Sequence, residues 1–527
     1  MPFLLSDLLV QSSFLYPEKD AVSYESDKLT YAELKVCTDR VTGSLLQAGL
    51  QRGDRVGIYT SKSVRTVAAI LGVLQAGGVY VPIDPASPTS RTSAICVNCR
   101  ISFLLTRTSF VPVLKTVMVG NPFLHWIGFL DDESTDDAAS LPVTSQCWNT
   151  FSLSPYSFRS NAVESDLAYI FNTSGSTGTP KGVMITHRNA LSFVEWAIST
   201  FSVSAQDRLS NHAPFHFDLS IFDIFVSLAC GATLVLVPQK IVAFPHELVK
   251  WLEKERITIW YSVPSILKMM LQHGKIAEAD LSCLRLVLFA GEVFSVKYLR
   301  VLVEMLSDTQ FCNLYGPTET NVCTYYRVPH DTQVLTQEIP IGQACEHSDV
   351  FAVREDDSIV REIGEIGELH VRGATVMRGY WDNEELTRQV LSVASLASSP
   401  IYRTGDIVRL RPDGLWDFLG RRDHLVKSRG YRIELGEVEV ALHRHPEIEQ
   451  AIVIPLPDEQ IGNRLVACLV SILGKELRPE DVRRYCAQLL PHYMVPEQIH
   501  IYLSLPLTST GKVDRTLLRS QLLAQDV

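Results

Sequence analysis

Three glycines, three threonines, two serines and a lysine share ten residues, Thr173-Ser174-Gly175-Ser176-Thr177-Gly178-Thr179-Pro180-Lys181-Gly182. Glycine permits tight turns at positive φ and leaves backbone N–H groups open to an anion. The hydroxyls add donors, and Lys181 adds a positive charge on a flexible stem. The apolar run before it, Leu167-Ala168-Tyr169-Ile170-Phe171, reads as a buried strand. The loop therefore leaves a strand end, where α/β folds seat phosphate groups. The Walker pattern Gly-x-x-x-x-Gly-Lys-[Ser/Thr] is not matched, and a plain Gly/Ser/Thr linker is the competing reading.

Two more clusters suit a nucleotide. In Asn313-Leu314-Tyr315-Gly316-Pro317-Thr318-Glu319-Thr320, Tyr315 offers a flat face to a purine. Glu319 offers a carboxylate to Mg²⁺, a hard cation that prefers oxygen. In Tyr402-Arg403-Thr404-Gly405-Asp406, Asp406 can accept from both hydroxyls of a ribose, and charge-assisted hydrogen bonds are the strong ones.

The elements that must hold these clusters alternate. Thr30-Tyr31-Ala32-Glu33 is a capping box opening a helix through Leu34, Val41 and Leu45, closed at Gly49. Strands are expected at 56–59, 79–83, 101–106, 167–171, 232–237, 257–262 and 285–289, with helices around 67–74 and 245–255. Residues 131–165, rich in Asp, Ser and Thr, read as a long surface connection. After about residue 340 the strands become short and alternating, with a turn at Pro412-Asp413-Gly414. Beyond Gly420 a compact unit follows, with helices near 435–444 and 480–489 and strands near 450–455, 464–471 and 498–503. The expected fold is α/β: a large N-terminal domain of doubly wound sheets over 1–420, including a small β-subdomain at about 340–420. An α+β C-terminal domain over 424–527 follows a boundary near 421–423.

The chain has 527 residues, 46% hydrophobic and 20% charged, enough for a sizeable core and two to four structural units. A net charge of −11 argues against nucleic acid as a partner. The 11 cysteines, odd in number, fit reduced thiols better than a disulfide framework. Cys96-Val97-Asn98-Cys99 has no second pair at metal-site spacing. The N-terminus lacks the basic region of a signal peptide, and no apolar run reaches about 18 residues. A cytoplasmic protein without a membrane partner is expected.

The stretch at 173–182 resembles the phosphate-binding signature of the adenylate-forming superfamily: acyl-CoA synthetases, luciferases and nonribosomal peptide synthetase adenylation domains. The resemblance runs from Leu29-Thr30-Tyr31-Ala32-Glu33-Leu34 to Arg515. It implies ATP and Mg²⁺. Thr173, Ser174, Gly175, Ser176, Thr177, Gly178 and Lys181 then meet the phosphates. Tyr315 and Gly316 meet adenine, and Asp406 and Arg421 the ribose, while Glu319 takes the metal beside Thr318. Gly511-Lys512-Val513-Asp514-Arg515 matches the catalytic lysine, giving Lys512 the acyl-phosphate transition state. Asp423 falls on the family's hinge, which implies a hinge near 421–423 and a mobile C-terminal domain over 424–527. Arg429-Gly430-Tyr431 falls on the loop that enters the site in the second half-reaction, where a glycine lets a pantetheine arm pass. His424 and Ser428 depart from the family pattern. No protein nucleophile is required, because a carboxylate attacks the α-phosphorus of ATP and pyrophosphate leaves.

Phe217-Asp218-Leu219-Ser220-Ile221-Phe222-Asp223 resembles the amino-acid-activating branch, in which Asp218 holds the substrate's α-ammonium. Motif spacing carries the rest of that pocket onto Leu219, Phe222, Tyr261 and Leu288. It continues through Ala290, Leu314, Val322 and Cys323, with Lys512 on the carboxylate. An apolar, cramped lining implies a small apolar amino acid, since a charged side chain would be buried unpaired. The set looks like that of stand-alone L-proline adenylating enzymes, with alanine or valine as alternatives. The chain ends soon after Arg515, so the acceptor is expected to be a separate phosphopantetheinylated carrier protein. Rival readings are an acyl-CoA ligase of the same superfamily, against which Asp218 speaks, and a non-enzymatic nucleotide-binding regulator. The regulator would be expected to lack Lys181, Glu319 or Lys512.

Overall fold

The computed structural model describes residues 3–132, 136–152, 161–175, 180–335, 338–392, 400–422, 425–472, 475, 477–506 and 513–525. Two large sheets carry the first part of the chain. One has nine strands, at whose centre Gln310–Tyr315, Leu286–Ala290, Ile259–Ser262, Arg208–Asn211 and Thr233–Leu236 run parallel. The other has eight, ordered Gly379–Tyr380, Lys181–Thr186, Leu167–Thr173, Val79–Pro82, Arg55–Tyr59, Phe103–Thr106, Trp126–Phe129 and Thr144–Cys147. Runs of Val, Ile, Leu and Phe make the inner strands, which are buried on both faces as parallel sheets require.

Helices fill the space between the sheets. Val64–Gln75 is apolar nearly all round and buries every residue but Arg65. It lies against Tyr31–Gln47, whose capping box forms as the sequence predicts, with Glu33 N–H donating to Thr30 Oγ1 and Thr30 N–H to Glu33. The approach is close at Gly72, where a Cβ would stand 2.6 Å from Val41.

Most elements fall where periodicity puts them. The strand expected at 79–83 is Val79–Pro82, and the helix expected at 245–255 is Pro245–Lys254. The 131–165 connection differs. Thr144–Cys147 pairs parallel with Trp126–Phe129 as an edge strand, and Trp148 and Phe151 are buried. An edge strand reading Thr-Ser-Gln-Cys has no apolar alternation to announce it. The two strands that flank the glycine-rich stretch, Leu167–Thr173 and Lys181–Thr186, pair antiparallel in register Thr173 to Lys181.

A third sheet joins Ser348–Val353, Ile366–Gly373, Ile401–Leu410, Leu391–Ser392 and Trp416–Arg421. The C-terminal part opens with a hairpin, Leu425–Ser428 and Tyr431–Glu434, followed by the helix Leu435–His443. A three-stranded sheet of Ile448–Asp458, Gly462–Ser471 and Gln498–Tyr502 carries its own apolar cores. Among the described residues, no helix is long and apolar enough to cross a membrane.

Candidate active site

The site forms where the parallel strands of the nine-stranded sheet discharge on one edge, the usual place for ligands in open α/β sheets. Arg208–Asn211 leads into the segment that delivers Asp218. Ile259–Ser262 carries Tyr261, Leu286–Ala290 ends in Ala290, and Gln310–Tyr315 ends in Tyr315. The hairpin of the eight-stranded sheet brings Thr173 and Ser174 to the same place, and the C-terminal hairpin closes it from the other side.

A cavity of about 120 Å³ lies at this junction, lined by Asp218, Leu219, Tyr261, Ala290 and Val322 among others. Phe171, His216, Phe217 and Asn321 also line it. The Thr318 hydroxyl donates to Asp218 Oδ2 at 2.6 Å. Burial raises the Asp218 carboxyl above its ordinary value, and the Thr318 bond and the Lys427 charge oppose that rise. Phe222 is fully buried and meets the Tyr261 ring edge-on at 5.5 Å, so it sets the position of Tyr261. Leu288 and Cys323 are buried in the same core. Leu314 lines a neighbouring cavity of about 760 Å³, together with Tyr315, Asp406, Phe418 and Arg421.

The nucleotide-side residues converge. The Tyr315 hydroxyl donates to Asp406 Oδ2, and Arg421 pairs with Asp406 Oδ1 while donating to the Thr404 carbonyl at 3.0 Å. Asp406 and Arg421 are cross-strand partners, which fixes this pair by register. Glu319 is fully buried. Tyr380 donates to one of its oxygens at 2.7 Å and Arg432 to the other at 2.6 Å. Burial alone would raise the Glu319 carboxyl; the Arg432 charge and the Tyr380 hydroxyl outweigh it and hold the group below its ordinary value. This carboxylate is thus built to face positive charge through hard oxygen donors, which fits Mg²⁺.

Gly430, Tyr431 and Arg432 all border the smaller cavity, and the exposed side chain of Arg429 pairs with Glu497 at 3.0 Å. Tyr431 stacks on Tyr493 at 3.7 Å and meets Phe217 edge-on at 5.0 Å. Of the sequence-derived site residues, Ser176, Thr177, Gly178, Asp423 and Lys512 lie outside the described residues. Gly316 lines the smaller cavity, while Gly175 and Lys181 are engaged by the C-terminal part.

Residues 11–381 match the family model described as AMP-binding enzyme, and residues 437–512 match that of the AMP-binding enzyme C-terminal domain. The chain belongs to the AMP-binding enzymes. An L-proline--[L-prolyl-carrier protein] ligase of Pseudomonas fluorescens is 39% identical over 98% of this chain and 99% of that protein. One of the same description from Streptomyces coelicolor is 38% identical over 93% of this chain and 91% of that protein. In fold, the chain resembles the Vibrio cholerae adenylation domain AlmE, solved with glycyl-adenosine-5'-phosphate. That likeness has a TM-score of 0.86 at 24% identity and covers 99% of this chain and 98% of AlmE.

Several residues of this AMP-binding enzyme escape a motif reading. Lys62 is buried and donates to the carbonyls of Asn211 at 2.6 Å and His212 at 2.9 Å, anchoring the segment that delivers Asp218. Burial lowers its amine to about 7, against the pull of Asp223. Lys427 borders both cavities; burial lowers its amine while the carboxylates of Asp406 and Asp218 oppose that fall. The sequence-derived lining holds no charge beyond Asp218 and Lys512, so Lys427 and Arg432 are additions made by the C-terminal hairpin. Their sequence signal was present in Lys427-Ser428-Arg429-Gly430-Tyr431-Arg432, but only docking of that hairpin brings them to the cavity.

Proposed function

We propose that this AMP-binding enzyme activates L-proline with ATP and passes the prolyl group to the phosphopantetheine thiol of a separate carrier protein. A carboxylate oxygen of proline attacks the α-phosphorus, and pyrophosphate leaves. The carrier thiol then attacks the prolyl carbonyl, and AMP leaves. The observation that carries the reading is Asp218: a carboxylate held by Thr318 in a cavity of about 120 Å³, walled by Leu219, Tyr261, Ala290, Val322 and Phe171. Proline's compact ring suits such a wall, and its secondary ammonium carries two N–H groups for the carboxylate. The proline ligases at 38–39% identity support the same choice.

The remaining roles are those the family resemblance implies. Tyr315 lies against adenine and Asp406 with Arg421 on the ribose, while Thr173, Ser174, Gly175 and Lys181 hold phosphates. Glu319 would hold Mg²⁺, whose charge balances the phosphates as pyrophosphate departs. Residues 1–420 form the adenylation core and 424–527 the moving unit, turning about 421–423 so that Lys512 serves the first step and the Gly430 loop the second. A cavity of about 370 Å³ shares Phe217, Leu219, Val263 and Tyr431 with the amino-acid cavity and opens beside Gln239 and Gln272, a route for the carrier's arm.

Exchange of pyrophosphate into ATP, measured across the twenty common amino acids with Mg²⁺ present, tests the assignment. Proline should lead the series. A flat response to proline, with strong exchange for an acidic or basic amino acid, would overturn it.

A further inference from the structure

The described donors of the phosphate stretch that touch the C-terminal part are answered by acceptors on Arg432, Glu434 and Glu437. The Ser174 hydroxyl donates to the Arg432 carbonyl at 2.9 Å and accepts from Glu434 N–H at 3.2 Å. Gly175 N–H donates to Glu437 Oε2 at 3.1 Å. The Lys181 ammonium pairs with Glu434 Oε1. The same segment sets a positive charge opposite an acid, where Arg432 donates to Glu319 at 2.6 Å.

These contacts are shielded from water. The side chains of Lys181 and Glu434 are 17% and 14% exposed, and those of Glu437 and Glu319 are 2% and 0% exposed. Glu437 is held from behind by the buried Arg91. A buried ion pair loses strongly when one partner is removed and the other left alone. Lys181 and Gly175 therefore exchange one anion for another, and Glu319 one cation for another.

Two carboxylates on a Gly/Ser/Lys anion site, with a guanidinium on the neighbouring acid, reproduce the charge pattern of a diphosphate with its metal. We infer that Glu434 and Glu437 are internal occupants of the pyrophosphate part of the site, and that Arg432 occupies its cation position. The inference rests on the reading that 173–182 binds the phosphates of ATP. The orientation seen here and bound magnesium pyrophosphate are then mutually exclusive. Gly430 and Tyr431 reach the amino-acid cavity only once pyrophosphate has left, so the adenylate cannot be driven back to ATP while the thiol is being admitted. Entry of the next ATP has to displace the two glutamates.

The test uses the full-length protein without amino acid and compares wild type with Glu434→Gln by calorimetry. A site that is mostly occupied from within binds its ligand more weakly by the fraction that is free. Glu434→Gln should bind magnesium pyrophosphate about three- to tenfold more tightly, with AMP affinity unchanged, because AMP carries no β- or γ-phosphate. Transfer from preformed prolyl-adenylate to the carrier should slow in the variant. On the wild-type chain, magnesium pyrophosphate should speed tryptic cleavage after Arg432, and AMP should not. Equal or weaker pyrophosphate binding by folded Glu434→Gln, or an unchanged cleavage rate at Arg432, overturns the internal occupant while leaving the phosphate reading intact. Absence of pyrophosphate binding by both proteins overturns the phosphate reading and the inference together.

Discussion

The Thr318 hydroxyl donates to Asp218 Oδ2 at 2.6 Å, although the two residues stand 100 positions apart. One belongs to the motif proposed to serve the nucleotide and metal, the other to the motif proposed to select the substrate. The bond ties the segment that delivers Asp218 to the end of the strand Gln310–Tyr315, and both residues line the same cavity.

Asp218→Ala should abolish amino-acid-dependent exchange while MgATP still binds. Removing one partner of a buried charge pair leaves the substrate ammonium unpaired, at a cost of about 3–5 kcal/mol in kcat/KM. Steady-state exchange and nucleotide binding by calorimetry check the two halves. Wild-type kcat/KM in the variant would make Asp218 structural.

Asp218 also predicts a pH dependence of stability. Burial raises its carboxyl in the folded chain. The folded state then holds this proton more tightly than the unfolded state, whose value is about 3.9. Its contribution to stability is complete below that value and is lost as pH rises through the raised folded value. Asp218→Asn has the same shape without the charge. The ligand-free variant should melt above wild type near neutral pH, with the gap closing toward pH 4. Parallel melting curves across that range would place the carboxyl at its ordinary value.

Gly430 takes φ +79°, and a Cβ there would stand 2.5 Å from Val263 Cγ1. Gly430→Ala should therefore penalise the orientation in which this loop borders the cavity. Strain of about 1–3 kcal/mol predicts roughly a tenfold slower transfer of preformed prolyl-adenylate to the carrier, with exchange preserved. Lys512→Ala should do the opposite, losing exchange by orders of magnitude while still transferring. If folded variants lose both half-reactions equally, the two-orientation mechanism does not hold.

Lys62→Met keeps the length of the side chain and removes the bonds to the Asn211 and His212 carbonyls. The segment carrying Asp218 loses its anchor, while Tyr315 and Asp406 are untouched. KM for the amino acid should rise roughly tenfold, the order expected when a binding group shifts by about an ångström. KM for ATP should stay within about twofold. An equal rise in both would show a general loss of fold.

What the sequence determined alone was chemistry attached to short, contiguous patterns. Thr173 to Gly182, Tyr315 to Glu319 and Tyr402 to Asp406 each carry the family resemblance in residue type and spacing, because a loop or strand end of a few residues can present a complete set of donors. The alternating strands and helices were legible for the same local reason, since apolar periodicity is set by each element's own geometry. The edge strand Thr144–Cys147 was not, because it has almost no apolar alternation.

Only the tertiary structure decided which residues of the site meet. Leu219, Tyr261, Ala290 and Val322 reach the smaller cavity, whereas Phe222, Leu288 and Cys323 pack in the core and Leu314 lines the larger cavity beside Tyr315. Strand register and helix packing choose between those outcomes, and neither is encoded in a motif's spacing. The pairing of Glu319 with Arg432 and of Lys181 with Glu434 depends on how a C-terminal hairpin docks more than 100 residues away in sequence. Charges so far apart in the chain acquire partners only through the packing of whole units. Which of its opposite charges a residue will answer is therefore a property of the assembled fold.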